Sequence, residues 1–600
     1  MKLLHSRSAR AIVVALAAGS LALTGCSSDS DKGGKANGAA NKDDAKKQSE
    51  QITFGTAKES QGPAEPVPGA KPGGTIVSYQ EADFSHWDPG QIYVSDAGLM
   101  ATILHRGLTA NKETIDGKKM IVGDIATDTG TTEDGGKTWK YTLKDGIKDE
   151  NGNAITSKDI RHTFERLAAK FITDGPTYVQ GWLGGSPDEY RKLLPDGPYK
   201  GKHLPASILE TPDDKTVIFH LKTAQPDFPY ALAMAGYSVV PEKADTKEKY
   251  DQKPVALGPY KFGEYKPGKE LTLVKNTNWD AASDPVRRQQ VESWKFEIGP
   301  TVSDQTKTLL ADRGEAKNAI QALGAVDTTL VKDVVTNKAA MARTIQGFQP
   351  YVWQLNFNME KLKDKRIRDA ITYAVPNQNF LMQDGGNYGG EVAGGLLAPT
   401  LPGFEKDFDP FGKLKKPNGD PEKARALLKE AGAEGMELLY AYSNTEIRQK
   451  QAVVLVAALE KAGFKVKKKE LDGATWYEQV GKVSRPYDIF MTGWGQDWPS
   501  PSTVIPPVYD GTVIADGASN YSHINDPHVN AEIKRISAIT DPVKASKEWN
   551  TLHHYIVEKV NPAAPIYYTK QLQISGSNVG GLHYSTFTSY IDLNRLFLKS

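Results

Sequence analysis

The sequence predicts an α/β protein built on more than one sheet. Strand-like and helix-like segments follow one another along the whole folded chain, and one stretch reads as a helix running into a strand, Glu446 to Ala462 and then Phe464-Lys465-Val466. The 600 residues, 39% hydrophobic and 24% charged, suffice for a buried core divided among two or three domains.

The elements follow in order. Gly73-Gly74 is a turn feeding the β-rich run Thr75 to Tyr79, and Trp87-Asp88-Pro89 is the next turn. Lys137 to Leu143 alternates as a half-buried strand, Asn151-Gly152 is a hairpin signal, and Lys158 to Lys170 reads as a helix. A strand is expected at Thr216 to Leu221 and a turn at Gly258-Pro259-Tyr260. Asp420 suits a helix cap and Pro421 the first helical position, while Ala424, Leu427, Leu428 and Ala431 form one apolar face before Gly432. The helix from Glu446 aligns Leu455, Ala458, Leu459 and Ala462 and stops at Gly463. A third helix starts at Asp541-Pro542, buries Ala545, Trp549, Leu552 and Ile556, and must end before Asn561-Pro562.

The N-terminus reads as an export signal: Lys2, Arg7 and Arg10, an apolar run from Ala11 to Leu23, then Leu23-Thr24-Gly25-Cys26. Removing it takes the formal charge from +1 to about −2, which gives no reason to expect a nucleic-acid surface. Cys26 is the one cysteine of the sequence, which excludes disulfides within the chain, thiolate zinc sites and further cysteine nucleophiles. From Ser27 to about Lys71 the composition is that of an unfolded tether. The end of the apolar run resembles a bacterial lipobox, which implies a lipid on Cys26 anchoring the protein on the extracytoplasmic face of the cell membrane.

Six short motifs in fixed order carry a wider resemblance. They are Gly73-Gly74-Thr75 with Trp87-Asp88-Pro89 and His105-Arg106-Gly107-Leu108; Lys137 to Asp159; Gly258-Pro259-Tyr260; Arg366-Ile367-Arg368-Asp369-Ala370; Asp420 to Gly432; and Tyr487 to Pro501. The chain resembles the dipeptide/oligopeptide/nickel (family 5) extracytoplasmic solute-binding proteins of ABC importers. It departs from them at Trp498-Pro499-Ser500-Pro501 and Ala374-Val375-Pro376-Asn377, which bears on substrate preference.

The resemblance implies a bilobed, periplasmic-binding-protein-like fold of two mixed α/β lobes with an inserted smaller subdomain and a two-segment hinge. Its expected division is a signal peptide over 1–25, Cys26 and the tether over 26–71, and a first lobe over 72–330 with the subdomain at about 106–205. A second lobe would span 331–555, and 556–600 would complete the first. A short peptide would lie between the lobes as an added strand, its main chain giving affinity and pockets taking its side chains. By motif, Asp497 would bind the peptide ammonium, with a surface turn aspartate as the plain alternative. Gly493 and Gly495 would permit close backbone approach and Trp494 would cover apolar ligand surface. Tyr178 and Tyr93 are cleft candidates or core tyrosines. Lys482 or Arg485 would receive the carboxylate, or be solvated loop charges, because one family position for a basic residue is Met491 here.

The expected partners are a short peptide, the membrane through Cys26, and a permease driven by two ATPase subunits; the protein itself would be monomeric. No cofactor or metal is expected. The chain lacks H-E-x-x-H, G-x-S-x-G and G-x-x-x-x-G-K-[ST], and His553-His554 face about 100° apart on a helix, so a hydrolase is the weaker reading. A different solute, or a peptide acting as a signal, remains open at this level.

Overall fold

The computed structural model describes residues 52–93 and 95–600. Cys26 and the export signal lie outside them. Thr75–Gln80 runs inside a five-stranded sheet, parallel to Ser293–Ile298 on one side and to Ala319–Ile320 on the other. Every residue after Thr75 is buried, on both faces of the strand. Glu270–Lys275 and Tyr260–Lys266 extend the sheet antiparallel, the latter starting at the Gly258-Pro259 turn. Trp294, Phe296 and Leu271 form its core with Trp87 and Ile103.

A six-stranded sheet has the order Gly390–Val392, Ala563–Ile574, Thr344–Phe357, Ile489–Gly495, Glu437–Ser443, Lys465–Leu471. Glu437–Ser443 and Lys465–Leu471 are parallel, and Glu446–Lys461 is the helix that connects them. Its buried Leu455 and Leu459 pack on Leu355, Tyr440 and Ile489. The two flanking helices keep their expected caps: Asp420 accepts the Lys423 amide at 3.2 Å and Asp541 the Val543 amide at 2.9 Å. The second of these helices gives way to a wider turn that ends at Asn561, in the left-handed region at φ 51°.

Two three-stranded sheets share a separate aromatic core. One holds Thr216–His220 between Thr138–Thr142 and Leu209–Glu210, and the other pairs Lys119–Gly123 with Thr109–Glu113 and Thr53–Phe54. Phe164, Phe219 and Phe228 meet there edge to face at 4.8 and 5.2 Å.

Three expected boundaries change. The tether does not reach Lys71: the chain joins the body from Ile52, because Thr53–Phe54 adds a strand beside Lys119–Gly123 and Val67 and Ser60 are buried. The subdomain does not stop at 205, since the central strand Thr216–His220 follows that point and the shared core runs on to Leu257. The return to the first sheet does not begin at 556. Ala563–Ile574 lies in the six-stranded sheet, and from Val579 onward Ile591, Leu593 and Leu598 pack with Ile76 and Trp294. The helix expected to Lys170 ends at Arg166.

Candidate functional site

The site begins with strand alternation. Ile489 and Met491 face the core of Leu355 and Tyr440, while Phe490 faces Trp476 and Tyr487 on the opposite side. Period two then puts Gly493 and Gly495 on the Met491 face and Trp494 on the other. In the ladder Gly493 stands opposite Trp353 and Gly495 opposite Tyr351. A Cβ at Gly493 would lie 3.2 Å from Trp353 Cε3, and one at Gly495 2.6 Å from Tyr351 Cε1. These glycines make room for aromatic rings of the neighbouring strand. Trp494 does not cover the cleft as expected: its Nε1 donates to the Thr503 carbonyl at 3.0 Å, and its ring packs into the layer of Ile505 and Trp549.

Beyond Gly495 the chain leaves the sheet and carries Asp497 across to the other half of the molecule. Tyr93 Oη donates to Asp497 Oδ1 at 2.8 Å, and Tyr178 Oη donates to Oδ2. Tyr93 follows the turn Pro89–Gln91, whose first amide is capped by Asp88; Tyr178 opens the helix Tyr178–Gly184. Among the described residues no cation pairs with Asp497. Burial therefore pushes its carboxyl above the ordinary aspartate value, with the two tyrosine hydroxyls pulling it partly back. Both hydroxyls in turn titrate higher than usual, mainly through burial and then through the Asp497 charge.

Next to Asp497, Trp498 is buried in the aromatic core of the small sheets, 4.8 Å and edge-on from Tyr178. Its Nε1 donates to Asp227 Oδ2 at 3.2 Å, and Ser502 Oγ donates to the same oxygen. A cavity of about 300 Å³ opens beside Asp497, walled by Tyr93, Met234 and Tyr590 from one side and Tyr351, Gln496 and Trp498 from the other. Such a space admits a small extended ligand, and the acid suits a cationic group whose donors reach the acceptor positions that the two phenols leave open.

Sequence reasoning reached Asp497, Tyr93 and Tyr178, which the fold brings together. Lys482 and Arg485 lie away from this cavity's walls. Lys482 is exposed and pairs with Glu478 at 3.2 Å. Arg485 is buried among the Tyr521 carbonyl, the Lys482 carbonyl at 3.0 Å and His523, over the Phe490 ring. Residues missed from the sequence are Tyr351, Asp227 and Ser502; the Gly-x-Gly spacing beside a strand was the available sign that bulky rings lay opposite. Of the histidine pair, His553 Nε2 accepts the Leu396 amide at 2.9 Å and His554 stacks on Phe408, and among the described residues no cluster could hold a metal.

A ligand cavity shared by two sheet-built halves, closed by side chains from both, defines a two-lobed solute receptor. The chain belongs to the bacterial extracellular solute-binding proteins, family 5, whose middle-region profile matches residues 120–516. It is 23% identical over 504 residues to the oligopeptide-binding protein OppA of Bacillus subtilis, covering 80% of this chain and 88% of that one. It is 25% identical over 432 residues to the dipeptide-binding protein of Escherichia coli, covering 68% and 73%. Among solved structures, the clavulanic acid biosynthesis oligopeptide binding protein 2 superposes with a TM-score of 0.79 at 25% identity, over 92% of this chain and 100% of that one.

Proposed function

We propose that this protein captures short peptides outside the cell by their free amino terminus and delivers them to an ABC importer. The observation that carries the reading is Asp497, held by Tyr93 and Tyr178 in the cavity and, among the described residues, paired with no cation. An ammonium placed there supplies the missing charge, forms charge-assisted hydrogen bonds and offsets the cost of burying the carboxylate. Relatives named as oligopeptide- and dipeptide-binding proteins support the ligand class. The ligand's main chain would lie along the cavity wall that Tyr351 and Gln496 form, which leaves sequence preference loose.

The protein acts as a receptor: the acid, held by two hydroxyls, is poised to hold a charge. Peptide bound in the cavity favours the state in which Tyr93 and Tyr178 meet Asp497, and that closed surface is what the permease reads. Cys26 carries the lipid, and the residues after it let a monomeric receptor reach its membrane partner. The hinge falls where the chain passes between the five- and six-stranded sheets.

Calorimetric titration with alanine tripeptide tests the reading. Asp497→Ala should weaken binding by at least tenfold with the melting temperature little changed, and N-acetylation of the peptide should cost the wild-type protein a similar factor. Equal affinities for the free and acetylated peptide would overturn it.

A further inference from the structure

Beside the peptide cavity lies a second one of about 280 Å³, which shares Trp498, Pro499 and Tyr230 with it but has neither Asp497 nor Tyr93 among its walls. Phe54, Trp182 and Asp227 line it from the small-sheet region, and Pro402, Pro506 and Trp549 from the other half. Six aromatic residues contribute to the lining, Phe54, Trp182 and Trp549 together with Tyr178, Tyr230 and Trp498. Their rings are inclined to one another like the walls of a box: Tyr178 and Trp182 at 44°, Trp182 and Trp498 at 70°, Phe54 and Tyr230 at 55°. Tyr178 Oη donates to Asp497 and Tyr230 Oη to the Ile52 carbonyl at 3.4 Å. With those polar ends committed, what the two rings have left is π surface, whose negative face attracts a cation.

Asp227 is the one carboxylate among the lining residues, and they include no lysine or arginine. Its side chain accepts from Trp498 Nε1 at 3.2 Å and from Ser502 Oγ, both on Oδ2. Neither donor carries a charge, so burial lifts the carboxyl above its ordinary value and the two bonds offset only part of that. An anion is repelled from such a place, and a neutral apolar occupant leaves the carboxylate uncompensated. A primary ammonium brings three donors that aromatic faces leave unsatisfied. A quaternary ammonium brings charge and methyl surface with no donor at all, and aromatic faces around a single carboxylate match both.

We infer that this second cavity binds a small solute bearing a quaternary ammonium group, its charge beside Asp227 and its methyls against the rings. The site stands apart from the Asp497 end and does not depend on the peptide reading. Because the walls come from both halves, an occupant also favours the state in which they meet. Tyr178 belongs to both sites, since its ring lines this cavity while its hydroxyl holds Asp497.

Calorimetric titrations at pH 8 and fixed ionic strength compare choline, its neutral isostere 3,3-dimethylbutan-1-ol, and ethanolamine. Wild-type protein should prefer choline to each of the others by about tenfold or more. Asp227→Asn should bring the choline-to-isostere ratio within about twofold, and Trp182→Leu should weaken choline by about fivefold, with cooperative melting showing that both variants are folded. Asp497→Ala should bind choline as the wild type does, and saturating alanine tripeptide should leave choline affinity equal or raised. The inference is overturned if wild type binds choline no better than the isostere or ethanolamine, or if folded Asp227→Asn and Trp182→Leu keep wild-type choline affinity. Loss of choline binding in Asp497→Ala, or its displacement by tripeptide, would also overturn it by placing the cation in the first cavity. Failure of alanine tripeptide to bind counts against the peptide reading alone, because the choline titrations are made without it.

Discussion

The Asp227 carboxylate accepts the Trp498 indole N–H at 3.2 Å across the seam between the small-sheet region and the end of the six-stranded sheet. Asp227 precedes the short helix Phe228–Leu232 but does not cap it with its side chain, so its acceptors are spent on Trp498 and Ser502 instead. This bond joins the Asp497 contacts in adding polar links to a seam where Trp498 also packs edge-on against Tyr178 and Trp182.

The pH dependence of the seam follows from the state of that acid. Burial raises the Asp227 carboxyl above the ordinary value, and hydrogen bonds from Ser502 and Trp498 compensate in part. Its protonated form is therefore favoured by folding. The associated stability is present below the unfolded-state value and is lost as pH rises through the raised folded-state value. Asp227→Asn keeps an oxygen acceptor without the charge. Scanning calorimetry should find the variant equal to wild type near pH 3 and about 1–3 °C more stable at pH 8. A variant less stable than wild type at pH 8 and equal to it at pH 3 would show that the ionised group holds the seam together.

Binding should carry the opposite sign at Asp497. The ammonium needs the carboxylate ionised, and burial holds that carboxyl above the ordinary aspartate range. Peptide affinity should fall on acidification through this raised value, earlier than an exposed aspartate would titrate. Asp497→Asn should bind weakly at every pH and lose that dependence. Titrations between pH 4 and pH 8 decide it; a parallel decline in both proteins would place the titrating group elsewhere.

The helices at Asp420 and Asp541 were legible because caps, prolines and a 3.6-residue apolar period agree within one segment, and the helix from Glu446 through its apolar face and the Gly463 stop. Asp497 and its tyrosines were legible through motif order. What stayed hidden came from long-range pairing. Trp494 looked like a cleft residue until the ladder fixed which face it takes, and Arg485 looked like an available cation until the fold surrounded it with carbonyls. The strand at Thr53–Phe54 is two residues long, below what periodicity can register, so its segment read as tether.

Gly495 should be more sensitive for binding than for folding. A methyl there meets the Tyr351 ring at 2.6 Å, but Tyr351 is 40% exposed and its ring can swing aside. Gly495→Ala should therefore cost less than about 1 kcal/mol of stability by chemical denaturation. It should weaken peptide binding several-fold, because the displaced ring moves along the wall beside Asp497. Gly493→Ala, at 3.2 Å from Trp353, should perturb binding less at the Asp497 end. Equal affinities for both variants and wild type would mean that neither ring touches the ligand.

The positioning of Tyr93 depends on a buried ion pair. Arg166 donates from Nη1 to Asp88 Oδ1 at 2.8 Å and from Nη2 to Oδ2 at 2.5 Å, and Asp88 in turn caps the turn Pro89–Gln91 that leads to Tyr93. Burial still leaves the Asp88 carboxyl raised despite its partner, so removing the guanidinium exposes the full cost of an unpaired buried charge. Arg166→Met should destabilise by about 3–5 kcal/mol. Combining it with Asp88→Asn should recover part of that loss, since the amide needs no counter-ion and its oxygen can still accept the Gly90 amide. If the pair serves to place Tyr93, the double variant should bind peptide more tightly than Arg166→Met at a temperature where both are fully folded. Recovery of stability without recovery of affinity would confine the pair to a structural role.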